Sequence, residues 1–525
     1  MNAAERARTL VDVLVAGGVR EVVLSPGSRS APLALAVLTA AGQGALRLHV
    51  RVDEREAGFL ALGLAKVSRR AVPVITTSGT AVANLHPAML EALHASVPVI
   101  AVTADRPARL RGTGANQTTV QPGIFPGVPE PATLEQLAGL LPGTRPAHLN
   151  VELDEPLVEA APPAPWPLPE PTEVLAPPGP ADASLRLGAG PRTVVVAGDD
   201  AGPRARVVAH EAGWPLLAEP TSGARTGEAL PTYRLLLGRP ELADGVERVV
   251  SFGHPTLSRP VGRLLARSDV EVVHVGTPAT FPVPADDRVR FARDVRADPG
   301  SGDPAWLARW READARTREA VERVRAAHPG TGLDVAHAVA HALRPGGLLV
   351  VGASQPVRDL DVVAPAQPVG ERRLVVANRG LAGIDGTLST AVGAALARPG
   401  QALALVGDLT FLHGSNGLLI GPDEPRPDLT VVVVNDDGGA IFATLEQGAE
   451  PFADAFERVF ATPTGADLAA LCAGLQVAHE QVAVEALPAA LARDVEGIRV
   501  VEVPVSRADR RALDTALRAA ADPER

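Results

Sequence analysis

Short runs of apolar, mostly β-branched residues recur along the chain, separated by longer stretches in which apolar positions repeat at helical spacing. This alternation is the pattern of parallel sheets with crossover helices. Glu21–Leu24 reads as a strand that runs into the turn Ser25-Pro-Gly-Ser-Arg-Ser30. The same grammar returns at Val72–Thr76, followed by Ser78-Gly-Thr80, a helix to about Ala95 and a strand from Pro98 to Val102, which makes a βαβ unit. A second α/β region opens with Thr193–Ala197 and continues through Arg248–Phe252 and Glu271–Val275, and a charged helix over Pro304–Ala327 leads to a third. In that third region strands are predicted at Gly347–Val351, Arg373–Ala377, Ala402–Val406 and Leu429–Val434.

Between the first two regions, from Ala160 to Pro180, proline is frequent and periodic pattern is lost, as in a semi-rigid linker. The predicted architecture is three α/β domains in series with parallel sheets, over residues 1–175 (with the Pro-rich linker at the end), 185–328 and 329–525. No short-period repeat is visible, although the first and third regions could be distant structural relatives.

A chain of 525 residues, 46% of them hydrophobic, can bury cores of this number and size. A net charge of −11 and the lack of interleaved basic and aromatic surface argue against nucleic acid as a partner. The first residues do not read as a secretion signal, and no apolar run approaches a membrane span. The one cysteine, Cys472, excludes an intrachain disulfide and any Cys-rich metal site. Together these features predict a cytoplasmic protein without membrane insertion. Lys66 is the sole lysine in an arginine-rich chain, so an arginine counts as a candidate only inside a motif.

Chemistry first shows at Val406-Gly407-Asp408 and Val434-Asn-Asp436-Asp-Gly438-Gly439. Two apolar strands end there in oxygen ligands, about one crossover apart. In a parallel sheet such ends lie side by side, so Asp408, Asp436 and the Gly438 carbonyl are candidate ligands for a hard cation, magnesium above all and manganese as an alternative. Gly407, Gly438 and Gly439 permit the close approach of a diphosphate. Taken singly, each segment is equally an ordinary strand-to-helix turn with a capping Asp. The pair at this spacing resembles the bipartite magnesium–diphosphate motif of thiamine-diphosphate enzymes, which calls for a glutamate in the other α/β domain against the aminopyrimidine. Glu54, at the start of a helix, is the candidate, with Asp53 and Glu56 as neighbouring alternatives and helix-dipole complementation as the competing role.

Further stretches make the resemblance specific: Ser25-Pro-Gly-Ser-Arg-Ser-Ala-Pro-Leu33, Asp53-Glu-Arg55, Thr77-Ser-Gly-Thr-Ala-Val-Ala-Asn-Leu85, Ala104-Asp-Arg-Pro107, Gly114-Ala-Asn-Gln-Thr118, Asn378-Arg-Gly-Leu-Ala-Gly-Ile-Asp-Gly386 and Gly438-Gly-Ala-Ile-Phe442. With them the chain resembles the 2-succinyl-5-enolpyruvyl-6-hydroxy-3-cyclohexene-1-carboxylate synthase family (MenD). That resemblance implies the thiamine-diphosphate-enzyme fold of pyrimidine-binding, central and diphosphate-binding domains. It also implies a homodimer or homotetramer with the active site between subunits. The implied reaction is decarboxylation of 2-oxoglutarate and addition of the succinyl unit to isochorismate, a carbon–carbon bond-forming step of menaquinone biosynthesis.

Carried over residue by residue, the resemblance places Ser28 and Arg29 at a substrate carboxylate, and Asn116 and Gln117 near the cofactor-bound intermediate. It places Ser354, Arg358 and Arg379 facing substrate, with Arg106 and Arg259 as looser candidates. Ile384 is implied to press between the cofactor rings, and Ile441 and Phe442 to line the pocket. Three positions depart from a common pattern: Leu409 after Gly407-Asp408, where most thiamine-diphosphate enzymes have a small residue and MenD-like sequences also differ; Asp436 where Asn is frequent; and Gly414 where Asp is common, with Ser415 or Asn416 as replacements for a lost cap. His86 and His413 read as ordinary helix or loop residues. The rival readings are another thiamine-diphosphate lyase or decarboxylase, and a non-catalytic descendant that binds a metabolite.

Overall fold

A computed structural model describes residues 1–143, 145–161, 163–171 and 185–521. Residues 172–180 of the predicted linker, with the predicted domain boundary at 175, lie outside these residues. Among the described residues three large, wholly parallel sheets carry the chain, and the α/β class follows from them directly.

The first sheet contains β1 (Glu21–Leu24), β2 (Arg47–Val50), β3 (Val72–Thr76), β4 (Val99–Asp105) and β5 (Ala147–Glu152), in the order β2-β1-β3-β4-β5. A two-stranded ribbon pairs β6 (Leu185–Leu187) with β12 (Val295–Ala297). The second large sheet holds β7 (Thr193–Ala197), β8 (Leu216–Ala218), β9 (Arg248–Phe252), β10 (Glu271–Val275) and β11 (Val289–Ala292), in the order β11-β10-β9-β7-β8. The third runs β14-β13-β15-β16-β18-β17, from β13 (Leu348–Val351), β14 (Leu374–Val376), β15 (Ala402–Gly407), β16 (Leu429–Asn435), β17 (Ala478–Gln481) and β18 (Ile498–Pro504). Their central strands are buried on both faces, as the β-branched runs Val72–Thr76, Thr193–Ala197 and Leu429–Val434 require.

All three sheets share the order of their first four strands. The first strand lies inside the second, and the third pairs on its other side, so the winding reverses between β1 and β3, between β7 and β9, and between β13 and β15. In open parallel sheets the crevice beyond the strand ends at such a reversal is where ligands bind. The motifs singled out in the first and third regions sit there: Ser25–Ser30 follows β1, Thr77–Gly79 follows β3, Gly352–Ser354 follows β13 and Asp408 follows β15.

The chain divides into two compact units. One gathers Met1–Pro177, Gly380–Pro399 and His413–Asp428; the other gathers Pro178–Arg379, Gly400–Leu412 and Leu429–Arg525. The first unit therefore includes the helix Thr387–Ala397, which packs along the helix Glu54–Ser68 at a distance that only glycine permits. A Cβ on Gly63 would stand 2.2 Å from the Thr390 carbonyl oxygen, and one on Gly393 would stand 2.3 Å from that of Leu60. Among the described residues no helix is long and apolar enough to cross a membrane.

Candidate active site

In the N-terminal unit, Asp53 caps the helix Glu54–Ser68 by accepting from the N–H groups of Arg55 and Glu56 at 2.9 and 3.3 Å. Its second oxygen accepts from the Asn416 amide at 3.0 Å, and Arg55 donates to the His413 carbonyl at 3.0 Å. These bonds fix the first turn and so the position of Glu54, whose carboxylate accepts from Asn84 at 3.0 Å. Glu56 points elsewhere. It is 1% exposed, accepts from Ser389 at 2.6 Å, and burial pushes its carboxyl up to about 7. Of the three acids at this helix start, Asp53 is a cap and Glu56 is a packed group, while Glu54 keeps a half-buried carboxylate with one side-chain partner.

The loops beyond β1 and β3 meet closely. A Cβ on Gly27 would stand 2.3 Å from that of Thr77, and Ser78 donates to the Gln117 carbonyl at 2.8 Å. Gln117 takes a left-handed backbone, φ 52°. Gln121, fully buried, accepts from the Gly79 N–H and stiffens the same turn. Arg106 spends its guanidinium on the Asn116 carbonyl at 2.6 and 3.1 Å. Arg29 is 6% exposed; it donates to the Leu153 carbonyl at 3.1 Å, lies 3.8 Å from Glu155, and leaves its Nε without a partner. Ser28 is exposed beside it. Ser28, Arg29, Asn116, Gln117 and Arg106 are thus collected around one set of turns. Ile384 belongs to this unit as well, half-buried just before the helix Thr387–Ala397.

In the other unit, Asp408 opens the helix Asp408–His413 at the end of β15 and accepts from the Gly438 N–H at 2.7 Å. Gly438 has φ 152° and sits where a Cβ would be 2.6 Å from the Ala461 carbonyl oxygen, so this turn requires glycine. Burial pushes the Asp408 carboxyl up to about 6. Burial, then the neighbouring charge of Asp408, pushes Asp436 up to about 7, and its buried Oδ1 has no partner. Two crowded carboxylates with an orphaned oxygen are the arrangement a divalent cation would relieve. Among the described residues no three His, Cys, Asp or Glu side chains converge on a metal position. A cation here would rest on two carboxylates, the Gly438 carbonyl and oxygens brought by a ligand, which is how magnesium is held on phosphates.

The same unit holds three of the five candidate substrate arginines and shows them to differ. Arg379 is 3% exposed and donates to Thr256 Oγ1 at 3.0 Å, while its Nε and Nη1 are buried without partners. Arg358 folds back onto the Ala353 and Ser354 carbonyls at 3.0 and 2.8 Å; burial, then the charge of Arg379, lowers it to about 10. Ser354 precedes its helix, and the missing Cβ of Gly407 would stand 3.7 Å from Ser354 Oγ, which brings Ser354 next to the end of β15. Arg259, by contrast, is exposed and paired with Glu446 at 2.6 and 3.2 Å. Ile441 and Phe442 are half-buried on the short helix Ala440–Ala443.

Asn84, Thr256 and Glu219 went unremarked in the sequence reading although each touches or flanks this chemistry. Asn84 lies within the quoted Thr77–Leu85 stretch. Thr256 and Glu219 follow β9 and β8, and what singles them out is contact with segments distant in sequence.

Two family models match the chain: the N-terminal TPP-binding domain of thiamine pyrophosphate enzymes over residues 5–124, and the C-terminal TPP-binding domain over residues 362–503. Among curated proteins, a 2-succinyl-5-enolpyruvyl-6-hydroxy-3-cyclohexene-1-carboxylate synthase from Nocardioides sp. (strain ATCC BAA-499 / JS614) is 56% identical, the match covering 99% of this chain and 98% of the relative. Synthases of the same description from Kineococcus radiotolerans and Nocardia farcinica are 50% and 46% identical, over 95% and 99% of each chain.

Proposed function

The chain belongs to the family of thiamine-diphosphate-dependent 2-succinyl-5-enolpyruvyl-6-hydroxy-3-cyclohexene-1-carboxylate synthases, and on that premise we propose how its own residues serve that activity. It is a transferase that forms a carbon–carbon bond, decarboxylating 2-oxoglutarate and adding the succinyl unit to isochorismate in menaquinone biosynthesis. Bound thiamine diphosphate supplies the carbon nucleophile and the electron sink. Glu54 holds the proton at the aminopyrimidine, and Asn84 keeps the Glu54 carboxylate aimed. Asp408, Asp436 and the Gly438 carbonyl hold magnesium, or manganese, on the diphosphate. Ile384, Ile441 and Phe442 shape the apolar walls.

Residues 1–175, 185–328 and 329–525 are assigned as pyrimidine-binding, central and diphosphate-binding domains. The protein is assigned to the cytoplasm, as a homodimer or homotetramer with the site completed between subunits.

The observation that carries the substrate reading is the Arg379 guanidinium, buried with two donor nitrogens unspent near a second, half-buried arginine, Arg358. Buried donors left unpaired cost about 1–3 kcal/mol each, and a carboxylate satisfies them as a fork. Both substrates are dicarboxylates, and Arg29 and Arg379 are the candidates to receive them. Arg259 is assigned no first contact, since it is already neutralised by Glu446.

Carbon dioxide release from 2-oxoglutarate and from pyruvate, its monocarboxylate counterpart, tests this reading. The wild type should favour 2-oxoglutarate by roughly 100-fold or more in kcat/KM, and Arg379→Ala should lose most of that preference. Equal use of pyruvate by the wild type would contradict a dicarboxylate site.

A further inference from the structure

We propose that Glu219 is a positioning residue for Arg379: its carboxylate pins the Thr256–Leu257 loop that holds the guanidinium, and its protonation state sets how much of that arginine's charge is left for an anionic substrate. This rests on the functional reading above and goes beyond it by bringing the central sheet into the reaction.

The geometry starts from the reversal in that sheet. Beyond β7 and β9, where an open sheet of this order would take a ligand, the chain has filled the crevice with its own loops. A Cβ on Gly198 would stand 2.1 Å from the Pro255 nitrogen, and Gly253, at φ 67°, lies against the Asp199 carbonyl. Asp199 and His254 form an isolated antiparallel bridge. The loop from Gly253 to Leu257 is therefore clamped at its start, and Glu219, the residue after β8, clamps its far end by accepting from the Leu257 N–H at 3.0 Å. Thr256, between the two clamps, accepts from Arg379.

Glu219 is 1% exposed, and its second oxygen has no hydrogen-bond partner. An ionised carboxylate is poorly tolerated in such a place. Burial pushes the Glu219 carboxyl up to about 8, the charge of Arg379 working in the opposite direction. The other groups facing it are Asp361 and Asp199, which add to the rise, and the buried Tyr233 phenol, itself pushed up in part by Glu219. Asp361 is already matched by Arg225 at 3.2 Å and Arg234 at 3.7 Å. Glu219 is the acid for which Arg379 is the opposing charge. Near neutral pH Glu219 is protonated and Arg379 presents its full charge. Above about pH 8 Glu219 ionises, the arginine is neutralised from behind, and a dicarboxylate binds less well. By linkage, binding a dicarboxylate near pH 8 draws a proton onto Glu219.

The test uses holoenzyme, Glu219→Gln and Glu219→Ala. Gln keeps an acceptor for the Leu257 N–H and cannot ionise; Ala loses both properties. For the wild type, KM for 2-oxoglutarate should rise several-fold between pH 7 and pH 9 with kcat little changed. Glu219→Gln should hold the low KM across that range, and Glu219→Ala should raise KM at every pH. Calorimetry with glutarate, the dicarboxylate without the keto group, in two buffers of different ionisation enthalpy at pH 8 should show proton uptake by the wild type and none by Glu219→Gln. Thermal unfolding midpoints establish that each variant is folded. An unchanged pH rise of KM in Glu219→Gln, or equal proton uptake, would overturn the proposal. Failure of the wild type to turn over 2-oxoglutarate at all would bring down the functional reading, and this inference with it.

Discussion

The three acids Asp53, Glu54 and Glu56 show how a neighbourhood assigns roles. The sequence alone singled out Glu54, with Asp53 and Glu56 as decoys beside it. The hydrogen bonds separate them, because Asp53 is consumed as a helix cap and Glu56 is buried against Ser389. If Glu54 is the proton-holding carboxylate, Glu54→Gln should lower turnover by about 100-fold or more, the usual scale for general acid–base groups, with cofactor binding retained by calorimetry. Turnover within a few-fold of wild type would remove Glu54 from that role. What sequence could not give at this scale is which arginine is spent. Arg259 and Arg379 look alike as letters, but one is neutralised at the surface and the other is buried with unspent donors. Burial and pairing come from distant segments, so no local pattern encodes them.

At the scale of strands and turns, the legible part was large because the chemistry sits at strand ends. The runs before Ser25, Thr77, Asp408 and Asp436 could be read as strands from their β-branched composition, and the turns from their glycines. The close packing of the helices Glu54–Ser68 and Thr387–Ala397 was not legible, since Gly63 and Gly393 look like any other glycine until their neighbours are known. Gly63→Ala should destabilise the protein by about 1–3 kcal/mol through forced separation of the two helices. Gly42→Ala, with open space around it, should change stability little; equal unfolding midpoints for both variants would refute the packing argument.

The ends of β15 and β16 make a prediction of their own. With Asp408 raised to about 6 and Asp436 to about 7, the folded state holds protons that an unfolded chain has lost. In the absence of a cation, this pair therefore contributes increasing stability as pH falls from about 8 towards 5, while magnesium and diphosphate affinity weakens over the same descent. Asp436→Asn should flatten the stability trend and raise the cation-free stability near pH 8 by on the order of 1 kcal/mol. Denaturant unfolding with and without magnesium distinguishes this from the opposite result, a loss of cation-free stability.

Across the whole molecule, one order of the first four strands is used three times, and each time residues of interest lie near the point where the winding reverses. Two of those reversals were legible because their turns carry acidic and glycine-rich signatures. The third, in the central sheet, was not, because it presents only Glu219, Thr256 and close-packed glycines, and their meaning depends on a partner more than a hundred residues away in sequence. If these parts serve one coupled reaction, its stoichiometry shows the coupling. Purified protein given thiamine diphosphate, magnesium, 2-oxoglutarate and isochorismate should consume isochorismate and release carbon dioxide in equal amounts, with neither occurring at that rate when 2-oxoglutarate is omitted. Carbon dioxide release with no loss of isochorismate would contradict it.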